Sequence, residues 1–240
     1  MIDAIEENPK LAKIYINEEE NTCFVLLEHY LFVAGDINDE NLSYLYNQVL
    51  TEKVKNELEI ITVFYLINEW KNSITNLYPN NHKIYERSLY RIKPTYVVDD
   101  FNNHHNIFRI TNELLNSNID NTNMIVEEVI STGTYNNIDD FIQRGIGFTP
   151  VIDNKVCGFC TSEYPTKSEI AIGIKVLEQY KNQGIAKAMT KMFLNEASKR
   201  DLTVNWECWK NNISSVNTAK SCGFEKIADY PVIFIDFYTK

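Results

Sequence analysis

The chain has 240 residues, enough for one large domain or two small ones with a sizeable core. Its 44% hydrophobic and 23% charged residues are ordinary for a globular protein, and no apolar run reaches the roughly 18 residues that span a bilayer. A net charge of −10 without a dense Lys/Arg cluster argues against a nucleic-acid partner and fits a cationic one such as an amine.

Met1–Glu7 is acidic and lacks the basic and apolar regions of a signal peptide, so a cytoplasmic location is expected, with no membrane partner. The five cysteines are odd in number, and four lie within apolar runs, which fits reduced, buried thiols. Cys157-Gly158-Phe159-Cys160 matches C-x-x-C. It falls in a strand pattern, however, where residues three apart point to opposite faces, so no metal and no redox pair is expected there.

In chain order, Thr22–Leu27 and Tyr30–Ala34 read as a hairpin ending at Gly35-Asp36. Asn38 or Asp39 can cap a helix carrying Leu42, Leu45, Tyr46 and Val49. Ile60–Tyr65 is a buried-strand candidate, followed by a helix with Leu66, Trp70, Ile74 and Leu77 and a strand over Ile84–Ile92. This alternation predicts a small α/β domain over 1–93, joined near Pro94 to a second domain over 94–240. His29, His82 and the pair His104-His105 lack metal-ligand spacing and read as turn or solvated loop residues.

The second half opens with a Thr111-capped helix to Asn116, after which no clear pattern is legible up to Thr134. Asn137 then caps a helix through Phe141 and Ile142 that stops at Gly145. Gly147–Ile152, the turn Asp153-Asn154 and Val156–Glu163 form a hairpin. Glu169–Val176 is a third strand, Gly184–Ser198 a helix and Leu202–Cys208 a further strand. A short helix from about Asn212 ends at Gly223, and Val232–Phe237 closes the chain as a strand.

Between the third strand and its helix lies Tyr180-Lys181-Asn182-Gln183-Gly184-Ile185-Ala186. Such a loop turns successive backbone N–H groups into one concavity at the positive end of the helix. Gly184 lets a phosphate approach the backbone, Ala186 keeps the first helical turn slim, and Lys181 and Lys187 add positive charge. The chain has neither G-x-x-x-x-G-K-[ST] nor G-x-G-x-x-G. Alone, the loop supports an anion site or merely a tight turn. A second element follows a strand: Asn212, Ser215, Ala219, Gly223 and Phe224 in the spacing N-x-x-S-x-x-x-A-x-x-x-G-F.

These two motifs, in this order, resemble the cofactor motifs of the GNAT superfamily of N-acetyltransferases. The first is similar to its [QR]-x-x-G-x-[GA] pyrophosphate loop, with Lys181 at the Gln/Arg position. Leu31–Asp36, Trp70, Asp140–Phe148 and Trp206-Glu207-Cys208 extend the resemblance to GNAT acetyltransferases of Gram-positive bacteria that carry an extra N-terminal α/β domain. Val176 stands where a Thr is common. The implied fold is α/β (α+β), a mixed, centrally splayed β-sheet preceded by a smaller α/β domain.

The resemblance implies acetyl-CoA as co-substrate, its pantetheine arm pairing with Ile174, Lys175 and Val176 in the gap between splayed strands. The pyrophosphate takes the amides of Lys181, Asn182, Gln183, Gly184, Ile185 and Ala186, and Asn212 and Ser215 reach the arm. Asn212 is also readable as a plain helix cap. The implied reaction is direct attack of an amine on the thioester in a ternary complex, with the Val176 N–H polarising the carbonyl. Glu207, with Glu169 as alternative, is the candidate base; either is also readable as a solvated strand glutamate. Many relatives place a Tyr acid where this chain has Ala219, which leaves water, Cys208 or Tyr230 to protonate the thiolate. The alternative function is a CoA-binding regulatory or interaction protein without turnover. The acceptor, a small-molecule or protein amine, has no readable motif in Thr95–Thr134, and a homodimer stays open.

Overall fold

The computed structural model describes residues 5–6, 10, 12–17, 19, 21–93 and 105–238, the Lys53 side chain excepted. The proposed joint at Pro94, and His104, lie outside the described residues. The chain forms two compact units, one of Asn8–Arg87 with Asp229–Lys240, the other of Met1–Glu7 with Ser88–Ala228. A division at 93/94 would instead group the C-terminal residues with the second half. No described helix is long and apolar enough to cross a membrane.

The first unit contains β1 (Lys13–Ile16), β2 (Thr22–Leu27), β3 (Tyr30–Gly35), α1 (Asp39–Tyr44), α2 (Glu52–Leu58), β4 (Ile60–Tyr65) and α3 (Asn68–Leu77). It also takes the start of β5 (His82–Ile92) and the end of β12 (Glu225–Asp236). β2 and β3 pair as the expected hairpin across Glu28-His29, β4 joins β3 in parallel, and β12 joins β4 antiparallel. The parallel step needs a crossover, supplied by α1, a π turn at Leu45–Val49 and α2. Asn38 caps α1 through the Asn41 N–H.

Phe24, Leu31, Val33, Ile61, Val63 and Ile235 face Trp70 and Ile74 in this unit's core. The buried indole of Trp70 donates to the Gly35 carbonyl at 2.9 Å, which satisfies its N–H inside the core. Leu66, expected on the helix face, precedes α3 and is exposed, and Leu77 is exposed as well. At the hairpin turn, burial and then the Arg87 charge hold His29 below the usual histidine range.

The second unit contains β6 (Ile107–Arg109), α4 (Asn112–Leu115), α5 (Asn123–Ser131), α6 (Ile138–Arg144), β7 (Gly147–Ile152), β8 (Lys155–Val156) and β9 (Gly158–Glu163). These are followed by β10 (Glu169–Val176), α7 (Ile185–Lys199), β11 (Thr203–Trp209) and α8 (Ile213–Ser221). Its strand order is β5-β11-β10-β9-β7-β6, with β8 paired to β7 across Asp153-Asn154. Both turn residues have positive φ, 49° and 60°, as a two-residue hairpin requires. The expected long second hairpin strand is broken at Cys157, whose N–H turns to the Pro150 carbonyl. Cys157 and Cys160 are both buried free thiols.

Two apolar clusters cover the faces of this sheet. Ile170, Ile172, Val204 and Trp206 pack with Ile185, Ala188, Met189 and Phe193 of α7. Phe159 packs with Ile125 and Val129 of α5 and Phe141 of α6. α5 fills the stretch that the sequence left unassigned, and β12 begins at Glu225 rather than Val232.

Candidate active site

β10 and β11 run parallel through the pairs Glu169–Thr203, Ile170–Val204 and Ala171–Asn205, where their pairing stops. On its other side β10 stays paired with β9 as far as Val176–Gly158. The Leu177 N–H donates to the Cys157 carbonyl, towards β9. Strand alternation therefore turns the N–H and C=O of Ile174 and Val176 to the open side, away from β9. This is the splayed edge that the resemblance implied.

The gap opens into a cleft of about 480 Å³. One wall is Ile174, Lys175 and Val176; the loop supplies Lys181, Asn182, Gly184, Ile185 and Ala186; the far wall is Trp206, Asn212, Ser215 and Thr218. Nearly all the sequence-proposed cofactor residues thus meet in one place. Gln183 is the departure: it is exposed, its amide donates to the Gln179 carbonyl at 3.3 Å, and it does not line the cleft.

Gly184 has φ +80° and precedes α7 with no side-chain cap. The first intrahelical bond there is Ala188 N–H to Gly184 C=O, so the N–H groups of Ile185, Ala186 and Lys187 have no helical acceptor. A Cβ on Gly184 would meet only the His105 Nε2, at 3.7 Å. His105, outside any helix or strand and half-buried, thus stands beside this loop. Lys181 pairs with Glu178 at 2.5 Å, and both side chains are well exposed, so the pair offsets little of its charge.

On the far wall, the Asn212 Oδ1 accepts from the Ser215 N–H at 3.2 Å, so the cap is real and the residue still lines the cleft. Trp206 Nε1 donates to Ser215 Oγ at 3.0 Å, which leaves the hydroxyl proton for another acceptor. Ala219 is fully buried in the core and carries no proton. Cys208 is buried and does not line the cleft, and Tyr230 belongs to the other unit, its ring against Phe64.

The two proposed glutamates are outside the cleft. Glu169 starts β10, about 23 Å along the strand from Val176. Its Oε2 accepts from Asn205 Nδ2 at 2.9 Å and lies 3.6 Å from Arg91 Nη2, while Arg91 Nε donates to Asn205. Glu207 is exposed on β11, and alternation puts it on the same sheet face as Glu169.

Sequence reasoning missed what strand register brings to that face. Ala171 pairs with Glu163 and Gly173 with Thr161. The Glu163 carboxylate lies over Gly173, where a Cβ would sit only 2.1 Å from its Oε1. On α5, burial raises the Glu128 carboxyl above its usual range, opposed by the Lys175 charge. Only the pairing between strands, which no local motif encodes, could have signalled this cluster. Among the described residues, no group of three or more His, Cys, Asp or Glu could hold a metal.

The family model described as GNAT acetyltransferase matches residues 1–233. A curated relative, the uncharacterised N-acetyltransferase YdfB of Bacillus subtilis (strain 168), is 26% identical over 120 residues, 46% of each chain, so the match spans about half of that protein. Among solved structures, a GCN5-related N-acetyltransferase-like protein from Streptococcus suis 89/1591 is similar with TM-score 0.69 and 18% identity, covering 93% of this chain and 88% of that one. A GCN5-related N-acetyltransferase from Kribbella flavida gives 0.59 and 10%, covering 98% and 93%. A functionally unknown conserved protein from Staphylococcus epidermidis ATCC 12228 gives 0.60 and 14%, covering 97% of each chain. These structural likenesses concern the fold. With the family model matched along nearly its whole length and a splayed β10–β11 edge beside an uncapped helix start, the chain belongs to the GNAT acetyltransferase family.

Proposed function

We propose that the protein transfers an acetyl group from acetyl-CoA to the amine of a small-molecule or protein acceptor, by direct attack in a ternary complex. The observation that carries this reading is the meeting, in one cleft, of the open edge of β10 with the uncapped start of α7. The residues fit the co-substrate. The N–H groups of Ile185, Ala186 and Lys187 suit a pyrophosphate, and the edge groups of Ile174 and Val176 suit an amide-bearing arm.

In this reading the Val176 N–H donates to the thioester oxygen and stabilises the negative charge that develops there. The neutral amine attacks the carbonyl carbon, the C–S bond breaks, and the electron pair leaves on sulfur. Glu207, through a water, is the proposed proton acceptor from the ammonium, with Glu169, held by Arg91 and Asn205, as the alternative. As the amide forms, the nitrogen sheds its second proton, which water relays to the thiolate, because Ala219 offers no acidic proton and Cys208 stays out of the cleft. Thiol release from acetyl-CoA with a panel of primary amines tests the reading, and Glu207→Gln should then lower kcat at least tenfold with acetyl-CoA affinity unchanged.

The buried Ala219 at the usual acid position favours one rival: a protein that binds CoA without turnover. Tight acetyl-CoA binding with no thiol release on any amine would select it.

A further inference from the structure

Next to the cleft, on the sheet face opposite α7, a hydroxyl is left over that the cofactor reading does not use. Thr161 is 2% exposed, and its Oγ1 is buried without a hydrogen-bond partner. Buried hydroxyls are normally satisfied, so an orphan beside a functional cleft calls for a ligand. It lies 3.5 Å from the point where a Cβ on Gly173 would be, next to the Glu163 carboxylate that occupies that point.

Three features combine there. Gly173 has no side chain, so the carboxylate lies flat against the strand. Gly173 is also next to Ile174, the first β10 residue that lines the cleft, and just past Ala171, where β10 and β11 part. An acceptor held over Gly173 would therefore be at the closed end of the gap, opposite the end that holds phosphate. The third feature is charge. Glu128, which feels the Lys175 charge, and Glu169, 3.6 Å from Arg91, add to Glu163 on this side of the unit, so carboxylates recur there.

We infer that Glu163 and Thr161, over Gly173, form the seat for the acceptor's primary ammonium group. The carboxylate pairs with the cation and the Thr161 Oγ1 accepts one of its N–H bonds; rotation of the flexible Glu163 side chain admits the nitrogen between them. The acceptor class is then a primary alkylamine that arrives protonated, not a neutral arylamine or an alcohol. This rests on the acetyltransfer reading only for its role in turnover, since the seat binds the amine by itself.

Calorimetric titration of cadaverine into the whole chain, with and without excess CoA, tests the seat without requiring catalysis. Cadaverine should bind the wild type, and Glu163→Gln should weaken it at least tenfold. Gly173→Ala is a second, fold-preserving route to the same result, because the new methyl meets the far end of the flexible Glu163 side chain, which it evicts, and is in ordinary contact with Thr161 Oγ1 at 3.5 Å. Both variants should keep acetyl-CoA affinity within twofold, and Thr161→Val should weaken cadaverine about threefold while Thr161→Ser does not. Absence of cadaverine binding by the wild type, or equal binding by Glu163→Gln and Gly173→Ala, overturns the seat. Failure of the wild type to bind acetyl-CoA would instead overturn the cofactor reading, and the same cadaverine titration run without CoA would then decide the seat.

Discussion

The two ends of the cleft are built differently. At the phosphate end, Gly184 and the first turn of α7 present backbone N–H groups, and side chains matter chiefly by being small or absent. At the end where β10 and β11 part, the proposed chemistry would rest on side chains from β9, β10 and β11, brought together by pairing between strands distant in sequence. A backbone site can be written as a short local motif. A side-chain site of this kind is written only in the register.

That contrast sets what should break each end. The largest effect is expected at Gly158, on the edge of β9 facing β10. An added Cβ would meet the Lys175 carbonyl at 2.3 Å and the Val176 Cα at 3.0 Å, both rigid backbone. Gly158→Ala should cost about 3 kcal/mol by overpacking. The loss is read as a lowered urea midpoint, with the Val176 amide displaced and acetyl-CoA affinity reduced in proportion.

A smaller loss sharpens the description of the far wall. Ser215→Ala leaves the Trp206 indole N–H without its acceptor, and an unsatisfied buried donor costs about 1–2 kcal/mol. Thermal melting of the apoprotein should show it, and Ser215→Thr should restore most of the stability.

The smallest effect lies outside the cleft and serves as a control. Hydrogen bonds from the Arg144 guanidinium, with Asn136 assisting, lower the Asp140 carboxyl to about 2. Its folded pKa is below the unfolded value of about 3.9, so its stabilisation is present above about pH 4 and is lost as pH falls towards 2. Arg144 is half-exposed, which discounts the contribution to about 1 kcal/mol at neutral pH. Asp140→Asn should remove that amount at pH 7 and make no difference near pH 2, with acetyl-CoA affinity unchanged at neutral pH.

The same contrast explains what could be read in advance. Glu169–Val176 alternates apolar and polar residues cleanly, and β10 has those bounds; the hairpin over Thr22–Gly35 was equally plain. Asn137, Thr111 and Asn212 each proved to be side-chain helix caps. α5 escaped because Thr122 makes no capping bond and the turn before it uses Asn121 at φ 65°. β1 escaped because Ile14 and Ile16 are exposed, so its apolar residues mark no core face. β12 was read too short because Glu225–Ile227 and Asp229 are exposed, hiding the period. Glu163 and Thr161 carry no local signature at all; only their partners Ala171 and Gly173 place them.

The central claim is that Gly184 and the uncapped α7 start bind the phosphates of acetyl-CoA. Calorimetric titration of acetyl-CoA into the wild type and Gly184→Asp tests it most directly. The wild type should bind, and the variant should lose at least a hundredfold in affinity, about 2.7 kcal/mol, because a carboxylate then stands where phosphate must sit. Its far-UV spectrum should be unchanged. Equal affinity in a folded Gly184→Asp would contradict the account.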